Sequence, residues 1–184
     1  MKNISVNIKN SFSSCFLSEE QTEGRLIAVN EKYLAMSWIN NGQIVLFDIS
    51  NSKNIIKNSF YFKLNNSNIL DLEFSPFYNN ILASGYSDNS VLLWNIQKDG
   101  LPQNIKYSIY NKHKNKVNFL NFNPIASDVI CSSTIDGDIH IWSVEKRDNF
   151  IEFKTDSPTI VSWNQNGNLI GATTKNNHIN IFDP

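Results

Sequence analysis

A turn pair stands six residues ahead of a strand-closing aromatic at four places in this chain. The pairs are Asn41-Gly42, Asp88-Asn89, Asp136-Gly137 and Asn176-Asn177, and the aromatics are Phe47, Trp94, Trp142 and Phe182. Successive aromatics lie 47, 48 and 40 residues apart. A repeat of this length, made of short strands and ending on an aromatic beside a polar residue, reads as a β-propeller blade. The chain is therefore expected to be all-β, and its function is to be sought in binding rather than catalysis.

The strands follow from period-2 alternation and from their turn residues. Leu26–Val29, Tyr33–Trp38 and Gln43–Ile49 open the pattern, with Asn41-Gly42 as a hairpin turn and Asn51–Asn58 as a polar connection. Phe60–Leu64 is a further, outer strand. Ile69–Phe74, Ile81–Gly85 and Ser90–Ile96 form the second unit, followed by a loop at Lys98–Pro102. Val117–Phe122, Val129–Ser133 and Asp138–Val144 form the third, and Thr159–Trp163, Leu169–Thr173 and His178–Phe182 the fourth. Residues 1–24 read as a leading strand and loop. Residues 25–184 read as the propeller, with blades at roughly 25–58, 60–102, 105–148 and 150–184. Asn is abundant and sits mostly in turns, where it tolerates left-handed backbone.

Composition argues against several partner classes. With 16 Lys+Arg against 17 Asp+Glu, the net charge of −1 sets up no field that draws the chain to nucleic acid or an acidic membrane. Lys112, Lys114 and Lys116 read as a solvated loop, and the aromatics fall on strand periodicity, as core residues do. The 7 glycines form no phosphate-binding loop, and no Cys, His or carboxylate set has metal-ligand spacing, so no cofactor is expected. His140 and His178 are expected to face solvent from their strands. Cys15 and Cys131 stand far apart, as in a reduced, intracellular chain. No signal peptide leads the sequence, and no run reaches the roughly 18 apolar residues of a membrane span.

His113, Ser132 and Asp136 supply the residue types of a hydrolase triad. Ser132, however, lies within the apolar strand Val129-Ile130-Cys131-Ser132-Ser133, without a Gly-x-Ser-x-Gly elbow. The structural alternative is a buried polar chain running from the Trp142 indole to Ser132, His113 and Asp136, which ties the turn to the strand behind it. Ser84, Asp88 and Trp94 recur at the same offsets in the second unit, with Asn65 at the histidine position. Partial recurrence is the mark of a scaffold, so the chain is read as not an enzyme.

These units resemble WD repeats: His113, Ser132, Asp136 and Trp142 match that family's blade in full. The closing dipeptides Phe47-Asp48, Trp94-Asn95, Trp142-Ser143 and Phe182-Asp183 depart from the family's Trp-Asp. The succession of segments is similar to the N-terminal half of a coronin. The stretch Ile69–Gly85 contains Ser75-Pro76-Phe77 and Ala83-Ser84-Gly85. It is followed by Val91-Leu92-Leu93-Trp94-Asn95-Ile96 and the loop Asp99-Gly100-Leu101-Pro102. Ala28-Val29-Asn30, Tyr33-Leu34-Ala35 and Ser162–Ile170 extend the likeness.

The resemblance implies a cytoplasmic, cortical and cytoskeletal protein that binds filamentous actin. It would act as a scaffold in actin organisation and motility, alongside other cytoskeletal proteins. It also implies a ring of roughly seven blades, of which about four are present, and oligomerisation through a C-terminal coiled coil beyond this sequence. The alternative is a WD-repeat adaptor that binds other proteins and not actin. Coronins carry an arginine, important for filament binding, shortly after a Cys-aromatic pair. Here Cys15-Phe16 leads into an acidic segment with Glu20 at that place, and Arg25 is the nearest basic substitute. An open half-ring exposes blade faces and strand edges, which calls for further blades or self-association.

Overall fold

The computed structural model describes residues 24–38, 42–50, 59–64, 66–97, 106–110, 113–146 and 148–184. Readings that fall on residues 1–23, Asn41, Asn51–Asn58, Asn65, Lys98–Pro102 and Lys112 lie outside these residues.

Among the described residues every regular element is a strand, and consecutive strands pair antiparallel into four sheets. The first holds β1 (Ile27–Val29), β2 (Tyr33–Trp38), β3 (Gln43–Asp48) and β4 (Ser59–Phe62). The second holds β5 (Ile69–Phe74), β6 (Ile81–Tyr86), β7 (Val91–Asn95) and β8 (Lys106–Tyr110). The third holds β9 (Val117–Phe122), β10 (Val129–Thr134), β11 (Asp138–Ser143) and β12 (Asp148–Lys154). The fourth holds β13 (Pro158–Trp163), β14 (Ile170–Thr174) and β15 (Ile179–Phe182). The first strands of successive sheets lie side by side, β1 by β5, β5 by β9 and β9 by β13. These sheets are four consecutive blades of a propeller.

The first three sheets each end one strand later than the units read from sequence. Ser59–Phe62 pairs with β3 and closes the first sheet, whereas the sequence boundary falls at residue 58. Strands β8 and β12 were not anticipated as strands. Each lies at a sheet's edge with most residues exposed or half-buried.

Sheet faces bury their apolar residues against the next blade. Ile44 and Leu46 of the first blade pack with Leu72, Phe74, Leu82 and Trp94 of the second. Val91 and Leu93 pack with Leu120, Phe122, Ile130 and Trp142, and Ile139 and Ile141 with Val161, Ile170 and Ala172. At about 1.5–3 kcal/mol for each fully buried side chain of this size, these seams are the main source of cohesion between sheets.

The second residue of each turn pair has left-handed backbone: Gly42 (φ 78°), Asn89 (74°), Gly137 (101°) and Asn177 (60°). In the third blade the Gly137 amide donates to Thr134 O at 3.1 Å, and Gly137 O accepts from the Thr155 amide at 2.9 Å. A Cβ on Gly137 would stand 1.7 Å from the Thr155 carbonyl oxygen. Only glycine satisfies both the backbone angle and the approach. Gly137→Ala should therefore lower stability by about 2–3 kcal/mol, read as a drop in the urea midpoint, while Asn89→Gly at the equivalent turn leaves it nearly unchanged.

Candidate functional site

The residues singled out from sequence assemble inside the blades. In the third blade the Trp142 indole donates to Ser132 Oγ at 2.6 Å, and Ser132 Oγ lies 2.6 Å from His113 Nε2. An indole N–H can only donate, so the Ser132 hydroxyl accepts from it and keeps its own hydrogen for a neutral His113 ring. Burial, assisted by neighbouring His140, lowers the His113 pKa to about 3 and keeps the ring neutral. In the second blade Trp94 Nε1 donates to Ser84 Oγ at 2.8 Å. Both serines are fully buried, so neither hydroxyl can meet a substrate.

In the third blade the chain does not run on to Asp136. Asp136 Oδ1 accepts from Thr134 Oγ1 at 2.5 Å, a bond that holds its carboxyl below the usual carboxylate range. Asp88 Oδ1 accepts from Ser90 Oγ at 2.6 Å and from the Ser90 amide at 3.2 Å. Each aspartate braces its own hairpin. His140, expected in solvent, is instead buried and stacked on His113 with ring centroids 4.1 Å apart. Packing against Trp142 overrides the strand alternation that suggested exposure.

Arg25 stands at the junction of the first blades. Its Nε and Nη2 donate to Asp71 Oδ1 at 2.9 Å and Oδ2 at 2.7 Å, and Nη2 also donates to the Leu120 carbonyl. Arg25 thus clamps the blade junction, with half the side chain still exposed. Asp71, fully buried on β5, accepts in addition from the amides of Leu72 (3.0 Å) and Leu120 (2.6 Å). Glu73, two residues along the same face, accepts from Asn121 Nδ2 at 3.1 Å and the Phe122 amide at 3.2 Å. Burial lifts its carboxyl to about 7 despite the nearby Arg25 charge. Asn121 passes the line on: its Oδ1 accepts from the Trp163 amide at 2.9 Å, and its carbonyl from the Trp163 indole at 3.1 Å. A polar line thus runs from Arg25, just ahead of β1, across β5 and β9 to β13.

Sequence reasoning missed this line. Its signal was two carboxylates inside the apolar strand Ile69-Leu70-Asp71-Leu72-Glu73-Phe74, a placement that calls for partners.

A second polar set joins the loops at the opposite ends of the inner strands. Asn30, Ser75, Asn123 and Asn164 each cap their own turn by accepting from two later backbone amides. Asn30 Nδ2 also reaches Asn79 O at 3.0 Å, and Asn123 Nδ2 reaches Gly167 O at 2.7 Å. Exposed Phe77, Tyr78 and Ile125 sit in these loops. Beside them, Lys32, Tyr33, Asn79, Asn80, Asn95, Ile96 and Gln97 line a recess of about 700 Å³. The chemistry on offer is contact through amides and aromatics. Among the described residues no group of three His, Cys, Asp or Glu side chains could hold a metal.

The same blades are found in known proteins. The family model described as "Eukaryotic translation initiation factor eIF2A" matches residues 55–182. Coronin-like protein crn1 of Schizosaccharomyces pombe is 24% identical over 176 residues, which is 91% of this chain and 29% of that protein. Coronin-2B of Homo sapiens is 26% identical over 109 residues, 58% of this chain and 23% of that protein. The solved WD40 domain of Toxoplasma gondii coronin superposes with a TM-score of 0.84 at 29% identity. That match covers 96% of this chain and 47% of the solved one. The chain therefore spans less than a third of these curated relatives and about half of the solved domain.

Two outcomes follow from the site. Removing the guanidinium strands the buried Asp71 carboxylate, so Arg25→Ala should cost about 2–3 kcal/mol. The doubly substituted Arg25→Met, Asp71→Leu chain should recover much of that loss in a urea double-mutant cycle. The second outcome concerns pH. Stability from neutral His113 is full above 6.5 and lost as pH falls towards 3, because its folded pKa is depressed. Stability from protonated Glu73 is full below 4.5 and lost as pH rises towards 7, because its folded pKa is raised. Between pH 6.5 and pH 4.5 the two oppose each other. His113→Asn should therefore gain in urea midpoint relative to the natural chain on acidification. Parallel curves would contradict the burial of a neutral ring.

Proposed function

From the premise that this chain belongs to the family described as "Eukaryotic translation initiation factor eIF2A" and is a coronin-family WD-repeat chain, we propose that it associates with actin filaments as a cytoskeletal scaffold. The supporting observation is the extent of the coronin likeness, which runs through all four blades. The eIF2A-described match begins at residue 55, after β1–β3. In this reading the partners are filamentous actin and other cytoskeletal proteins. The place of action is the cytoplasm, cytoskeleton and cell cortex, and the role is actin organisation in motility.

The chain acts by contact rather than chemistry: the nearest thing to a nucleophile, Ser132, is buried and engaged by Trp142 and His113. Arg25, engaged by Asp71 with half its side chain exposed, stays a candidate filament contact. The loop face bearing Phe77, Tyr78 and Ile125 offers apolar anchors next to the Lys32 recess, the mix of aromatic core and polar rim that protein interfaces favour.

A second reading, an adaptor that contacts other proteins and not actin, is favoured by the eIF2A-described match over three of the blades. One experiment separates the two. The 184-residue chain is sedimented with filamentous actin, and the fraction pelleted should rise with actin and exceed the actin-free control. No actin-dependent pelleting, together with capture of translation initiation components from lysate, would replace the first reading by the second.

A further inference from the structure

Three loops on one side of the sheets are built alike. In the first blade Asn30 Oδ1 accepts from the amides of Lys32 and Tyr33. In the second Ser75 Oγ accepts from those of Phe77 and Tyr78, and in the third Asn123 Oδ1 from those of Ile125 and Ala126. The caps make Lys32, Phe77 and Ile125 equivalent, each two residues beyond its capping side chain. The fourth blade departs from this, because Asn164 Oδ1 accepts from Asn168 and Leu169, four and five residues on. Phe77 and Ile125 are 41% and 65% exposed. In blade order, one cation and then two apolar groups occupy the same place in successive loops.

The cation opens onto the recess between the first two blades. Its Nζ sits over the ring of buried Tyr33, 4.8 Å from the centroid. Across from it stand the amide side chains of Asn80, Asn95 and Gln97. Asn95 Oδ1 accepts from Asn80 Nδ2 at 2.9 Å and from Gln97 Nε2 at 3.4 Å, which leaves the Asn95 amino group to other acceptors. The walls are tied to the blades: Asn30 Nδ2 donates to Asn79 O at 3.0 Å, and the Ile96 amide donates to Asn80 O at 2.8 Å. Among the described residues no carboxylate lines the recess. Asp48, whose charge reaches Lys32, is taken up by the amide and hydroxyl of Ser50.

These groups select by charge. An ammonium beside amide N–H donors favours a negatively charged, acceptor-rich group, and such hydrogen bonds are the strong ones. One cation matches a carboxylate, with its single charge, better than a phosphate monoester with roughly two. Further along the arc the chemistry changes. Phe77, Ile125 and the 52% exposed Tyr78 present apolar surface and no charge.

We propose that the loop arc of blades one to three takes an extended acidic segment of a protein partner, with a carboxylate on Lys32 and apolar side chains on Phe77 and Ile125. This rests on the contact role proposed above for the loop face and adds the chemistry that the face recognises. The ion pair forms against the Tyr33 ring and the amide wall, partly out of water, where it gains more than at an open surface. The apolar contacts remove Phe77 and Ile125 from solvent. The amides around them supply the polar rim that closes off a small protein interface.

Fluorescence anisotropy on the 184-residue chain tests this with two labelled peptides. One carries glutamates followed by leucines, and the other has glutamine in place of each glutamate. The natural chain should bind the glutamate peptide about tenfold more tightly. Lys32→Gln should erase that preference, whereas Ile125→Ser should weaken both peptides alike, each with unchanged circular dichroism. Should a variant fail to fold, added salt applied to the natural chain makes the same comparison, and the preference must shrink. Equal binding of the two peptides by the natural chain overturns the proposal. So does a preference that survives Lys32→Gln, or no binding at millimolar peptide. Sedimentation with filamentous actin separates this from the filament reading. A chain that prefers the glutamate peptide but does not pellet loses the filament and keeps the acidic segment. Pelleting that Lys32→Gln leaves untouched, with no peptide preference, keeps the filament and sinks the acidic segment.

Discussion

The carboxylate of Asp71 accepts hydrogen bonds from the Arg25 guanidinium and from the backbone amides of Leu72 and Leu120, and so gathers donors from three successive blades. A buried charge of this kind is costly to desolvate, and replacing such a pair by apolar groups is often neutral or stabilising. Its value here is positional. The apolar seams between blades consist of Leu, Ile, Val and Phe side chains that would tolerate small slips along the strands. Four donors on two oxygens tolerate none, because a shift of one residue would leave the carboxylate bare. Asp71 sets the register in which β1, β5 and β9 stand side by side. Glu73 and Asn121 carry the same register to β13.

Within a blade the ordering is done differently. The indole of Trp142 or Trp94 donates to a serine one strand away, which fixes β11 on β10 and β7 on β6 from the inside of the sheet. The turn at the sheet's end is braced separately, by Thr134 on Asp136 and by Ser90 on Asp88. A hairpin is thus held at both ends by short-range bonds, while its face is held by the neighbouring blade. This division of labour suits a repeat protein, in which each unit is a local structure that cannot bury its own faces.

The division also explains what could be read from sequence. Turn pairs, closing aromatics and strand alternation are local, and they located Tyr33–Trp38, Ile69–Phe74 and Val117–Phe122 at their observed bounds. Left-handed backbone at Gly42, Asn89, Gly137 and Asn177 follows from residue type alone. What sequence could not give depends on neighbours distant in the chain. Arg25 looks like a spare surface cation until Asp71 is placed beside it, 46 residues on. His140 looks like an outward strand residue until His113 and Trp142 are seen to cover it. The Ser–His–Asp chain stopped one link short because Thr134, two residues from Asp136, is the nearer donor. Strands β8 and β12 were missed because these edge strands bury almost nothing, Tyr110 alone, and so write little apolar alternation into the sequence.

Since side-chain roles repeat with the blade, an exception in exposure carries information that single-site reasoning lacks. Ile179 and Ile181 differ from Ile139 and Ile141 neither in residue type nor in strand position, only in what lies across from them. Scattered surface aliphatics are ordinary, but contiguous ones that reproduce a buried seam mark a surface made to be covered. The loop-borne Phe77, Tyr78 and Ile125 are exposed for a different reason: the capping bonds of Ser75 and Asn123 hold those turns out from the sheets. The two kinds of exposure therefore call for different partners. A flat sheet face with strand spacing demands another sheet face, whereas loop tips around a polar recess can meet a surface of any shape.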